Sequence, residues 1–240
     1  MLSVIKYYVY KKFPIKFVCF IQSALYGGKV KIGKRSYINK SVHIIGKDKI
    51  EIGFNSCISD GSYMNVNNRS SDGKAIIIGN NCYIGKNNFF SSGKSIQIKD
   101  YVLTAIGCKF IGSTHLINNP NIPYISAGIT ASDVIVVGVN CFLGADVSIK
   151  GGIKIGHGSV IGSNSLVIRD IPPFSLVVGS PAVIIKRFSF KKAHWIAIED
   201  FDAFDEDSLP TEENYLSKLK NKTGDVLMPW IASGKSLGDL

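Results

Sequence analysis

The sequence predicts an all-β fold: short parallel strands wound round a triangular prism, with short helical segments at its N- and C-terminal ends. Three observations predict it. Aliphatic residues recur every six positions, a small residue follows many of them by four, and the 24 glycines are spaced along the chain rather than clustered.

The period is clearest over residues 137–167. Val137, Leu143, Ile149, Ile155, Ile161 and Val167 stand six apart without a break. Four positions after the first five stand Cys141, Val147, Ile153, Ser159 and Ser165, and Gly138, Gly144, Gly156 and Gly162 directly follow four of them. The same step recurs at Ile32–Ile38, Ile52–Ile58–Met64, Ile78–Ile84–Phe90 and Ile98–Thr104–Phe110. Six fits neither the 3.6 period of an α-helix nor the alternation of a lone strand. It fits a short strand plus a turn, used three times per coil. One aliphatic residue per side then points to the axis, the small residue fits the corner, and glycine is expected to relieve backbone strain at the turn. Stacked coils bury a continuous apolar column.

The cysteines support this register. Cys82, Cys108 and Cys141 each lie four after a column residue, which makes them small buried hydrophobes rather than nucleophiles or metal ligands. The five cysteines are odd in number and include no CxxC, and Lys16 interrupts the apolar stretch near the start. A reducing cytoplasm and no cleavable leader are the expectation. The apolar run Phe17–Tyr26 is too short to cross a bilayer.

Charge is uneven. Residues 1–49 hold eleven Lys/Arg against one acid, residues 50–190 hold eleven against seven, and residues 191–240 hold six against ten. Positive charge concentrated in the first fifth argues against a nucleic-acid groove along the body. In MLSVIKYYVYKKFPIKFVCF, Lys6, Lys11, Lys12 and Lys16 alternate with aromatic residues. Residues 1–20 therefore suit peripheral contact with an anionic membrane, or a helix capping the first coil. Residues 1–29 are read as a basic, aromatic helical segment, 30–190 as the β-helix, and 191–240 as an acidic, partly helical extension. Within that extension PTEENYLSKLKNK places acids first and lysines last, as the helix dipole favours.

Interruptions mark function. NNRSSDGK (67–74) is a polar loop, and residues 112–133 form a longer excursion containing Pro120 and Pro123. Long loops on a rigid scaffold often carry binding and catalysis.

By its residues the chain is similar to a known family. The stretch VIVVGVNCFLGADVSIKGGIKIGHGSVIGSNSLVIRDIPPFSLVVGSPAVIIK resembles the closing coils of hexapeptide-repeat acyltransferases, in the branch of galactoside, maltose and surface-polysaccharide O-acetyltransferases. The loop STHLINNPNIPYISAGI resembles their catalytic loop. The resemblance covers about residues 30–190. It implies a left-handed parallel β-helix, a homotrimer with active sites between subunits, acetyl-CoA as donor lying along the coils, a histidine general base, and no metal. His115 matches that histidine. Ala145 and Ser163 match backbone contacts to the pantetheine arm, Ile168 and Arg169 a pair near the CoA phosphates, and Lys186 a basic residue at the nucleotide end. Phe142 stands where the family usually has Trp beside the acetyl arm, Val183 where a base is common, and Gly151 where Pro is usual. Ser113-Thr114 precede His115 in place of the acid or Asn often found there.

The chemistry agrees with the resemblance. A sugar hydroxyl must lose its proton as it attacks a thioester, and an imidazole titrating near neutrality can take it. The oxyanion then needs a fixed donor such as a backbone N–H. Of the four histidines, His43 and His157 fall on outward coil positions and His194 in the extension. The histidines are too far apart in sequence for the three-ligand zinc site of a β-helical carbonic anhydrase. Asn87 and Asn88 could hydrogen-bond an acceptor hydroxyl or be turn residues. The first functional reading is O-acetylation of a sugar in a surface polysaccharide or its precursor. N-acetylation of a nucleotide-linked amino sugar, a simple galactoside acceptor, and a non-catalytic scaffold are the alternatives.

Overall fold

The computed structural model describes residues 29–69, 72–223, 226 and 228. They form a left-handed parallel β-helix of three faces. The first face stacks Lys31–Ile32, Ile50–Ile52, Ile76–Ile78, Ser95–Ile98, Val134–Val137 and Lys154–Ile155. The second stacks Tyr37–Ile38, Cys57–Ile58, Tyr83–Ile84, Leu103–Thr104, Phe142–Leu143, Val160–Ile161 and Ser175–Gly179. The third stacks His43–Ile45, Tyr63–Val66, Phe89–Ser92, Lys109–Ile111, Ser148–Lys150 and Leu166–Val167. Each face pairs in parallel and in register, so six coils are complete and a seventh begins with a parallel bridge from Ile171 to Ile155 on the first face and continues on the second. The first corner joins the first face to the second, the second corner the second to the third, and the third corner leads into the next coil. The segment 1–29, read above as helical, lies outside the described residues but for Lys29.

The inward columns are those the six-residue period marks. On the third face Met64, Phe90, Phe110, Ile149 and Val167 are all fully buried, and the Phe90 and Phe110 rings stack at 4.5 Å with an interplanar angle of 11°. Among the described residues one polar side chain stands in the six-residue columns, Thr104. Its hydroxyl donates to Asn88 Oδ1 at 2.9 Å and accepts from Gly85 N–H at 3.0 Å. A hydroxyl so paired escapes the cost of burial without a partner.

The corners revise the expected part played by glycine. Gly138 and Gly144 do not adopt positive φ. A Cβ on Gly138 would stand 2.5 Å from His157 N, and one on Gly144 2.7 Å from Ser163 N, each a coil above. Glycine is needed for the close approach of stacked coils. The left-handed turn is supplied two residues later by Asn140 (φ 54°) and Asp146 (φ 57°), and by Asn55, Asn81, Asn87 and Asn164 at equivalent corners. Asn and Asp tolerate that region better than other non-glycine residues.

The small corner residues do more than fill space. At the first corner Ser56 Oγ donates to Gly79 O at 2.8 Å, Cys82 Sγ to Lys99 O at 3.0 Å, Cys141 Sγ to Gly156 O at 3.1 Å and Ser159 Oγ to Pro172 O at 3.1 Å. Each is a rung from one coil to the next, which explains why Ser and Cys interchange there. Burial pushes the Cys82 and Cys141 thiols up to about 12, so neither is a thiolate near neutrality.

Beyond the last coil the chain turns back. Ala182–Ser189 pairs antiparallel with Ser175–Gly179, and His194–Ala197 adds a further antiparallel strand. Two helices follow, α1 (Ala203–Asp207) and α2 (Glu212–Thr223). Asp202 and Asp205 form a capping box at the start of α1. The Arg187 guanidinium, 6% exposed, lies 4.2 Å from the Phe201 ring centroid and pairs with Glu206. α2 runs along the first corner. Glu212 pairs with Lys99 and accepts from Val139 N–H at 3.1 Å, and the Asn140 amide donates to the Tyr215 hydroxyl. His157 does point out of the prism, but it is not solvated: it is 8% exposed, with Nε2 3.0 Å from Pro210 O and its ring packed on Phe174 and Tyr215. Val226 also meets this corner, its carbonyl accepting from Asn55 Nδ2 at 2.9 Å.

This strap should be acid-sensitive. A hydrogen bond from Ser189 Oγ holds the Asp205 carboxyl below the usual carboxylate range, helped by Asp202 N–H and the Lys192 and Lys191 charges against burial. Burial acts to raise Glu212, but the Lys99 and Val139 hydrogen bonds and the Lys99 and His157 charges outweigh it and leave it lowered. Carboxyls lowered by folding stabilise above their unfolded value, about pH 4, and lose that contribution as pH falls through the folded value. Hydrogen exchange should therefore show α2 amides losing protection below about pH 4 before the coil amides do. Coils and α2 opening together would refute the assignment.

Candidate active site

The excursion 112–133 leaves the third corner between Lys109–Ile111 and Val134–Val137. Its base is a two-stranded neck. Ser113 Oγ donates to Thr130 O at 2.7 Å, Thr114 N–H to Thr130 Oγ1 at 3.0 Å, and Thr130 N–H to Thr114 O at 2.8 Å. His115 bridges antiparallel to Ile129, and Leu116 N–H reaches Gly128 O. A 3-10 turn, Tyr124–Ser126, follows Pro123 at the far end of the arm.

His115 is thus carried on a hydrogen-bonded base rather than a loose tip, and it is exposed. Among the described residues its imidazole has no hydrogen-bond partner. Ser113 and Thr114 fix the backbone of the neck and do not reach the ring. Ile117, Ile122, Tyr124, Ile125 and Ile129 on the same arm are 72%, 43%, 51%, 87% and 42% exposed, an apolar surface with no core of its own beneath it.

The other expected residues fall on the surrounding coils. Ala145 and Ser163 are stacked one coil apart at the second corner, and Ala145 N–H donates to Ser163 Oγ at 3.1 Å. The Ala145 carbonyl accepts from Asn164 N–H at 2.7 Å. Ile168, 40% exposed, and Arg169 follow Leu166–Val167 at the third corner. They lie two coils above the neck of the His115 arm, a rise of roughly 10 Å. Phe142, 40% exposed, lies on the second face in register with Leu103 and Val160. Lys186 is exposed on the antiparallel strand beyond the last coil, beside the exposed Val183 and Ile185. Within one chain these residues run round the prism and do not converge on one pocket. Gly151 makes room for the end of the excursion: a Cβ there would stand 2.4 Å from Asp133 Oδ2.

Asn87 and Asn88 separate. Asn87 is exposed and supplies the positive φ of the second corner. Asn88 is 1% exposed and its amide is spent within the coils, donating to Gly85 O, Lys86 O and Ala105 O and accepting from Thr104 Oγ1. Its expected contact with an acceptor is corrected to a structural rung. A different polar set lies on the third face below the His115 corner. Asn65 Nδ2 donates to Asn67 Oδ1 at 2.7 Å, and Asn67 Nδ2 to Ser91 Oγ at 2.8 Å. The sequence offered no sign of it, since Asn67 begins a polar loop. Among the described residues no group of three or more His, Cys, Asp or Glu is placed to hold a metal ion.

Comparison with known proteins bears on this site. Residues 134–169 match the family model described as the hexapeptide repeat of succinyl-transferase. Those residues form the fifth and sixth coils of the β-helix. Known acetyltransferases and an N-acyltransferase resemble the chain over different lengths. A chloramphenicol acetyltransferase of Escherichia coli is 51% identical over 55 residues, 22% of this chain and 26% of that protein. The chain spans about a quarter to two fifths of the lengths of the curated relatives it matches. A hexapeptide-repeat-containing acetyltransferase of Vibrio cholerae, solved with acetyl coenzyme A, superposes with a TM-score of 0.50 at 26% identity, over 68% of this chain and 74% of that one. The N-acyltransferase AntD of Bacillus cereus, solved with dTDP-4-amino-4,6-dideoxyglucose and coenzyme A, gives 0.59 at 22% identity, over 69% and 88%. The last shows a shared fold.

Proposed function

We propose that this hexapeptide-repeat protein transfers acetyl from acetyl-CoA to a hydroxyl of a sugar in a surface polysaccharide or its precursor, working as a homotrimer. The observation that carries the reading is His115: an exposed imidazole on a braced arm, with no hydrogen-bond partner among the described residues, at the corner where Arg169 stands two coils higher. A second copy laid against the arm would cover its apolar residues and close a cleft that one chain leaves open. Arg169 beside the apolar Ile168, and Lys186 beside Ile185, are exposed cations, the kind of group that suits an arm ending in phosphates. Asn65, Asn67 and Ser91 offer amide and hydroxyl groups to an acceptor.

The steps follow from these residues. His115 takes the proton of the acceptor hydroxyl as its oxygen bonds to the thioester carbon. The carbon–sulfur bond then breaks, and the histidine proton goes to the leaving thiolate. Acetyl passes directly to the acceptor, so the buried cysteines have no part.

A screen of sugar acceptors with acetyl-CoA, read by thiol release and by NMR of the product, tests the proposal. An acetyl ester on a sugar is expected. An acetamide on a nucleotide-linked amino sugar would instead establish N-acylation, and no thiol release with any acceptor would leave a scaffold. In the active pair, Arg169→Ala with Lys186→Ala should raise KM for acetyl-CoA while leaving acceptor KM unchanged. The effect should shrink with salt. An unchanged KM would move the cofactor elsewhere.

A further inference from the structure

We propose that the first coil is a basic end-plate that seats the protein on an anionic phospholipid surface. Residues 29–49 hold seven Lys/Arg and one acid, Asp48. The fold distributes them round all three corners of one coil. Lys31 stands on the first face and Lys34 and Arg35 at the first corner. Lys40 stands at the second corner, and Lys47 and Lys49 at the third in a 3-10 turn. Lys31 keeps a side chain 67% exposed even while paired with Glu51. One coil up the charge is gone: residues 50–74 hold Arg69 and Lys74 against Glu51, Asp60 and Asp72. Arg35 lies 5.4 Å from the Phe54 ring centroid.

The shape of this charge selects the partner. A nucleic acid or an anionic polymer follows a stripe or groove of cations along a body. Here the cations lie in one plane, about one coil rise of 4.8 Å deep, at the blunt end of a rigid prism, and they complement a planar anionic surface. Each lysine within a Debye length of such a membrane adds to its hold. The sequence before this coil carries Lys6, Lys11, Lys12 and Lys16 among aromatic residues. The proposal does not depend on the acetyl-transfer reading.

The experiment is sedimentation of the full chain with vesicles of phosphatidylcholine, with and without phosphatidylserine. Binding to the phosphatidylserine vesicles alone is expected, with release on adding salt. Lys34→Glu, Lys40→Glu and Lys47→Glu together should weaken the partition by roughly a hundredfold or more with Tm unchanged. Should that set lower Tm, the three glutamine replacements keep the test, with a loss of roughly tenfold or more expected. Lys218→Glu, Lys220→Glu and Lys222→Glu on α2 should bind as the parent does. Three results would overturn the proposal: a full chain indifferent to phosphatidylserine, a coil variant that binds like the parent, or an α2 variant that loses as much. Capture by a soluble anionic polysaccharide without vesicle binding would do the same.

Discussion

His115→Ala should lower turnover with the true acceptor by about 10²–10⁴, with acetyl-CoA affinity little changed. The histidine is the exposed titratable side chain on the neck of the excursion, and its proposed work is to accept one proton as the acceptor attacks. A group that acts only as the bond forms lowers kcat and kcat/KM together when removed, without altering donor binding. The side chain makes no hydrogen bond among the described residues, so its loss should leave Tm where it was. Single-turnover kinetics together with a binding isotherm for acetyl-CoA check this. Near-full turnover in the alanine variant would remove His115 from the mechanism. A fall in both turnover and Tm would make it a structural residue of the neck.

Phe110→Ala should destabilise the protein by about 3–5 kcal/mol, a drop in Tm of roughly 6–20 °C for a chain of this size. Phe110 is fully buried and stacks on Phe90, and the coils above and below hold the axis at fixed width, so the void cannot collapse. The control is on the same face one coil below. Phe89, 36% exposed, points outward from the strand that carries Phe90, and Phe89→Ala should cost far less. Thermal melts of the two variants decide it. Equal effects would mean that the axial ring pair is not what sets the coil's width.

The columns were legible in the sequence because a six-residue step is a property of neighbours along the chain: Ile149 and Ile155 announce each other. What stayed hidden depends on contacts between coils. Gly138 looks like a turn glycine until His157 is placed above it. Asn88 looks like half of an exposed Asn pair until Thr104, sixteen residues on, needs a partner. His157 reads as outward, and it is covered because Pro210 and Tyr215 return to it from the extension. Residues 191–240 carry no repeat, so the strand His194–Ala197 and the burial of Arg187 left no periodic trace. The position of His115 was legible because the excursion breaks a strict period. What orients its ring was not, because no described residue of the same chain does so.

The strap along the first corner changes what kind of solenoid this is. Coils that touch only their neighbours can open one at a time from either end, and their stability is close to a sum of local contributions. Here Lys99 is joined to Glu212 across 113 positions of sequence, and Asn55 to Val226 across 171. Those links bind the second coil and the fourth to the returning segment, so neither can open without prising it away. The edge is stitched between coils that share no strand pair. Closing such long loops carries a large entropic cost that is met only late, when most coils already stand. The seam is therefore expected to close late in folding.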